Sequence, residues 1–87
     1  MVSKKVTVTS AQGLHMRPAG VLVRELAGFE SSIMINYGNR QINAKSIMNI
    51  IAAGIRCGSE LEIVCEGGDE QAAAERAAEL IESGLGE

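Results

Sequence analysis

Every stretch of this chain that alternates with a period of two keeps a largely polar second face, and no other feature constrains the fold as tightly. From Val2 to Thr9, Val6 and Val8 point one way and Lys5, Thr7 and Thr9 the other. Ile33, Ile35 and Tyr37 alternate with Met34 and Asn36. Gly38-Asn39 has the composition of a tight turn, and Arg40 to Ala44 returns with Ile42 and Ala44 inward. Leu61, Ile63 and Cys65 share a face opposite Glu60, Glu62 and Glu66. Strands buried on both faces read as continuous apolar runs, and these do not. Helices can therefore cover only one side of an antiparallel sheet.

The segments between the strands have helical periodicity. Met16 to Ala27 places Ala19, Leu22, Val23 and Leu26 on one stripe, with Gly28 expected in a left-handed C′ position and Phe29 folding back as its apolar clasp. Ser46 is a natural N-cap for a short second helix, Ile47 to Ala53, ended by Gly54. After Gly67-Gly68, Asp69 is expected to cap an alanine-rich third helix that stops at Gly84. The order βαββαβα makes an α+β fold, an open-faced β-sandwich with a four-stranded antiparallel sheet and three helices on one face. At 87 residues, 1–87 read as a single domain. Its core must be aliphatic, because Phe29 and Tyr37 are the only aromatic residues.

No apolar run reaches membrane-spanning length, and MVSKK opens a strand rather than a signal peptide. The expectation is a cytoplasmic monomer without membrane insertion. Cys57 and Cys65 do not suit a disulfide, since six extended residues between them span ~20 Å and bridged Cα atoms lie within about 7 Å. Cys65 reads as a core filler and Cys57 as a loop residue. Two isolated thiols and one distant histidine make no metal site, and nothing in the chain calls for a cofactor.

Charge divides along the chain. Residues 1–59 hold seven basic side chains (Lys4, Lys5, Arg17, Arg24, Arg40, Lys45 and Arg56) against Glu25 and Glu30, whereas residues 60–87 hold nine acids against Arg76 alone. A basic half in a chain of net charge −3 fits an acidic protein partner better than a membrane or direct nucleic-acid contact.

The basic half carries the chain's single histidine, in Gly13-Leu14-His15-Met16-Arg17-Pro18-Ala19. Gly13 permits a sharp turn, and Pro18 is best tolerated in a first helical turn. His15 thus occupies or borders an N-cap, where His is not a favoured residue. A helix N-terminus presents unpaired N–H groups and a positive dipole end, which favour an anion and disfavour a protonated ring. A lone histidine is often structural, but no serine, carboxylate pair or second histidine stands near enough in sequence to make a hydrolytic site. Nucleophile is the simplest chemical role. Arg17 can be a solvated charge, yet a cation in a first helical turn runs against the dipole unless it serves a bound anion.

Ser46 reads equally well as a plain helix cap or as a kinase target, where a phosphate would add nearly two negative charges to a basic surface. Ile47, Met48 and Ile51 adjoin on one side of the second helix, and Met16, Gly20 and Arg24 form an i, i+4, i+8 line on the first. Helix-to-helix packing accounts for part of this, and an exposed docking patch with a basic rim is the alternative. Gly20 costs ~1 kcal/mol relative to alanine within a helix, so close backbone approach is its expected reason.

These residues resemble the histidine-containing phosphocarrier (HPr) family of the bacterial phosphoenolpyruvate:sugar phosphotransferase system. The likeness covers essentially the whole chain and rests on GLHMRPA around His15, KSIMNIIAAGI around Ser46, GGDE before the last helix and the final SGLGE. It implies that His15 accepts a phosphoryl group on Nδ1 from phosphorylated enzyme I and passes it to sugar-specific enzyme IIA domains, with Arg17 stabilising the phosphate. It further implies that Ser46 is a regulatory serine modified by an HPr kinase/phosphorylase, the seryl-phosphorylated form acting with a catabolite-control transcription factor. The family's sheet order is 1-4-2-3. Met16 and Gly20 depart from the family's usual residues, alanine or threonine in each case, on the docking side. A related regulatory paralogue lacks the active histidine. Two other functions fit the chain: a regulatory module without transfer chemistry, and a carrier in a nitrogen-regulatory phosphorelay.

Overall fold

The computed structural model describes residues 1–85. Its elements run β1 (Val2–Thr7), α1 (Met16–Leu26), β2 (Ser32–Tyr37), β3 (Arg40–Asn43), α2 (Ile47–Ala53), β4 (Glu60–Glu66) and α3 (Glu70–Glu82). The four strands form one antiparallel sheet in the order β1-β4-β2-β3. Register follows the apolar alternation: Val6 pairs with Leu61, Ile33 with Cys65, Ile35 with both Ile63 and Ile42. A one-residue slip would turn this whole row to solvent. The opposite row, with Lys5 beside Glu62 and Glu62 beside Asn36, lies on the uncovered face.

The core lies between the sheet and the helices and is aliphatic throughout. Val6, Val8, Leu22, Leu26, Ile33, Ile35, Ile50, Ile63 and Ile81 are buried. Helix α3 packs on β1, β4 and β2 through small residues, with Ala73, Ala74 and Ala77 buried, while α2 lies on β3 and α1 packs against α2 and α3. Cys65 fills space in this core, and burial pushes its thiol up; Cys57 is exposed in the loop after α2, and both are free thiols.

Four local expectations are corrected. The first strand ends at Thr7 rather than Thr9, although Val8 keeps its inward place through Val8 N to Ser59 O (2.9 Å) and Gly58 N to Val8 O (2.8 Å). Helix α1 ends at Leu26, with Ala27 as C-cap, and Gly28 is not left-handed. Ala27 is αR, and Phe29 N donates to Leu26 O at 3.2 Å while the half-buried ring still reaches the core. Pro18 joins the fully buried stripe, whereas Val23 is only half-buried. Asp69 occupies the N-cap of α3 without capping it. Its carboxylate accepts hydrogen bonds from Glu30 N and Ser31 N, both at 2.9 Å, and from the Ser31 hydroxyl. Side chains of this type take whichever donors lie nearest, and tertiary packing has brought the 30–31 loop within reach.

Candidate functional site

The loop that carries His15 is held from three directions. Its first residues extend the sheet edge through the Val8 pairs with 58–59. Next, the Thr9 hydroxyl donates to Glu82 O and the Ser10 hydroxyl to Gly84 O, each at 3.1 Å, so the loop is tied to the C-terminus of α3. The Glu82 carbonyl belongs to a helix end that lacks intrahelical donors, and Gly84 follows its C-cap. Finally, Leu14 N donates to Ile55 O at 3.0 Å. Gly13 makes that approach possible. With φ at +73°, a Cβ there would lie 2.2 Å from Ile55 O and 2.8 Å from Arg56 Cα. Neither threonine nor serine has a local signature for this role, and sequence reasoning passed over both.

His15 is the N-cap of α1 as expected, with φ −82° and ψ −166°. Its carbonyl accepts the first helical bond, from Ala19 N at 2.9 Å, but its ring makes no capping bond to its own helix. The ring is half-buried. Met16 and Arg17 follow as the first two helical residues, and their amides have no acceptor within the helix. Pro18 is third, where a missing N–H removes no helical bond. No acid stands in this first turn. The first turn thus brings together unpaired amides, the positive dipole end and the exposed Arg17 residue directly after His15. Such a turn favours an anionic group.

Ser46 caps α2. Its Oγ accepts from Asn49 N at 3.3 Å and from Asn49 Nδ2 at 3.1 Å, and its carbonyl receives Ile50 N at 3.1 Å. Gly54, at φ +64°, closes the helix, and Arg40 Nη1 donates to Ala53 O at 3.2 Å. Helices α1 and α2 pack together, and each carries exposed residues from the two expected groups. Met16 is 68% exposed, Met48 75% and Ile47 36%, while Arg24 is also exposed. Ile51 is half-buried against the core, so helix packing explains Ile51 but not the two methionines. The expectation of a close backbone approach at Gly20 fails, since a Cβ there would meet nothing within 4 Å. Among the described residues no group of histidine, cysteine and carboxylate side chains could hold a metal ion, and no helix is long and apolar enough to cross a membrane.

Comparison with known proteins finds relatives over nearly the whole chain. A family model described as the PTS HPr component phosphorylation site matches residues 2–83. Over 73 residues the chain is 48% identical to the phosphocarrier protein HPr of Treponema pallidum, covering 84% of this chain and 83% of that protein. It is 42% identical over 82 residues to the HPr-like protein Crh of Halalkalibacterium halodurans, covering 94% and 98%. Among solved structures, HPr-C-His from Thermoanaerobacter tengcongensis matches with a TM-score of 0.94 at 37% identity, over 100% of this chain and 98% of that one.

Proposed function

We propose, because the chain belongs to the HPr family of bacterial phosphotransferase-system phosphocarriers, that His15 is its phosphoryl-accepting residue. The observation that carries the assignment is an N-cap ring that does not cap, set beside the amides of Met16 and Arg17 at the start of α1. A ring nitrogen, Nδ1 by family resemblance, attacks phosphorus in line as the bond to the donor breaks. The donor is phosphorylated enzyme I, and enzyme IIA domains receive the group by the reverse geometry. Such transfers pass through a loose transition state, so the protein contributes position and charge rather than covalent chemistry. The outward amides and the Arg17 guanidinium supply that charge. A site at the surface also keeps the phosphate from being bound too well to hand on.

Docking uses the exposed faces of α1 and α2: Met16, Gly20 and Arg24 on one, Ile47, Met48 and Ile51 on the other. The apolar centre gives contact area and the basic rim steers an acidic partner. Ser46 lies at the edge of this face and is the regulatory serine. A phosphate on its Oγ replaces the Asn49 contacts with a dianion beside Ile47 and Met48, which costs partner binding more than it costs the fold. An HPr kinase/phosphorylase is the modifying enzyme on this assignment, and a catabolite-control transcription factor the reader of the modified form. The whole cycle runs in the cytoplasm.

Incubation with phosphoenolpyruvate and enzyme I, followed by intact mass, tests the assignment. One acid-labile phosphoryl group should appear and should be absent from His15→Ala. A second function is favoured by the 42% identity to an HPr-like protein Crh: the chain would use the same patch for regulation without transfer. That function predicts no acid-labile adduct under the same conditions.

A further inference from the structure

The chain has four methionines. Met34 points to the uncovered face of the sheet and is half-buried there, and Met1, 77% exposed, lies beside it, so its oxidation falls on the sheet side. Met16 and Met48 lie instead on the helical side, 68% and 75% exposed. Met16 follows His15 directly, and Met48 is in the first turn of α2, two residues beyond Ser46. Both thioethers are the largest apolar groups that the α1–α2 face shows to solvent. A thioether is a soft nucleophile, open to oxidation in proportion to its exposure, and the product is polar.

We propose that Met16 and Met48 form a peroxide-sensitive modification site on the docking face, where oxidation to sulfoxide lowers phosphoryl acceptance by His15. The inference rests on the carrier function proposed above. In the modifying step the thioether sulfur attacks one oxygen of hydrogen peroxide. An S–O bond forms, the O–O bond breaks, the sulfur gives up two electrons, and the second oxygen leaves as water. Each sulfoxide places a strong acceptor where an apolar partner surface offers no donor, and burying such a group is costly. The fold is spared, because neither side chain belongs to the core. A methionine sulfoxide reductase, drawing two electrons from a dithiol, removes the oxygen as water, so the modification is reversible.

The test oxidises the whole protein with hydrogen peroxide and assigns each site by peptide mass. Acceptance of phosphate from phosphoenolpyruvate at limiting enzyme I is then measured. Oxygen should enter Met16 and Met48 before Met34, and the initial rate should fall about fivefold or more while thermal unfolding is unchanged. Sulfoxide reductases should restore the rate. Dithiothreitol alone should not, which separates the methionines from the exposed thiol of Cys57. In the double variant M16L/M48L, the ratio of oxidised to unoxidised rate should be close to one, whatever its own starting rate. Undiminished transfer with both sulfoxides present, recovery with dithiothreitol alone, or loss that tracks unfolding would each overturn the proposal. A protein that takes no phosphate before oxidation overturns the carrier function as well, so the two failures are distinguishable.

Discussion

Helices α1 and α3 both begin at a residue whose side chain makes no capping bond to its own helix, and the two starts are put to opposite use. At α3, the Asp69 carboxylate turns away and accepts three hydrogen bonds from residues 30 and 31. Those bonds hold its carboxyl below the ordinary range, the Ser31 hydroxyl contributing most and the Glu30 amide next. Gly67 is pressed against Ser31 at the same junction, where a Cβ would lie 2.6 Å from Ser31 Cα. At α1, His15 precedes the unpaired amides of the first turn, which holds Arg17 and no acid. One N-terminus is consumed in joining two segments of the fold; the other is supported from behind by the loop that carries His15. A helix start can serve structure or chemistry, and the surrounding loop decides which.

Removing the ring of His15 tests the contrast most severely. His15→Ala should accept no acid-labile phosphate from phosphoenolpyruvate and enzyme I, a complete loss by intact mass. Its thermal unfolding should stay near that of the parent, because an N-cap side chain contributes at most ~1–2 kcal/mol even when it bonds, and this one makes no capping bond. A large fall in stability would place His15 with Asp69, among the joints of the fold.

Next in size is the support behind the site. Gly13→Ala puts a Cβ into Ile55 O and Arg56 Cα at a positive φ. The backbone must move, at about 1–3 kcal/mol, and the loop it moves is the one that aims His15. Transfer should fall by up to ~100-fold, since small misplacements of a reacting group are expensive. Stopped-flow transfer measured beside chemical denaturation checks both effects together. Native kinetics in a destabilised variant would show that the anchoring to residues 55–56 does not aim the ring.

The sheet polarity and the caps of α2 were legible in the sequence because their causes are local. Ser46 reaches only to Asn49, and Gly54 supplies a left-handed residue at the position where α2 must stop. His15 was legible for the opposite reason: it is a poor choice for the cap that it occupies. Asp69 was misread because its partners are 38 and 39 residues away, and local chemistry alone favours the cap. Thr9 and Ser10 were passed over on the same ground, since their acceptors lie at residues 82 and 84. Gly28 has the composition of a left-handed stop, yet its φ is not positive and the chain turns through Phe29 N to Leu26 O.

Asp69→Asn should affect the fold and leave the chemistry alone. Thermal stability should drop at neutral pH, with enzyme I transfer unchanged at temperatures below unfolding. The pH dependence has a definite sign. A carboxylate with a lowered folded pKa binds fewer protons folded than unfolded, so stability rises with pH between the two values. The contribution is whole above the unfolded value near 4 and is lost as pH falls through the lowered one. Glu70, held down by the Met1 ammonium at 2.7 Å and by the Gly67 amide, acts in the same direction. Melting scans taken down through the carboxylate range should therefore fall less steeply for Asp69→Asn than for the parent, though not become flat. Parallel curves would mean that the three bonds at α3 do not distinguish the charged carboxylate.

The smallest effect is expected at Gly20, where it has the opposite sign. Mid-helix glycine is ~1 kcal/mol less favourable than alanine, and nothing within 4 Å would resist the added methyl group. Its φ is not positive, so no left-handed conformation demands glycine either. Gly20→Ala should therefore raise the melting temperature by about 4–8 °C while leaving every core contact in place. The fold gives no reason to keep this glycine, which lies one turn from Met16 and one turn from Arg24 on the face assigned to docking. If α1 is the element held open for partners, the methyl group should weaken enzyme I binding even as it stabilises the free protein. A titration that shows greater stability with unchanged affinity would remove Gly20 from the docking face, and would confine the functional half of the comparison to the first turn of α1 and its neighbour α2.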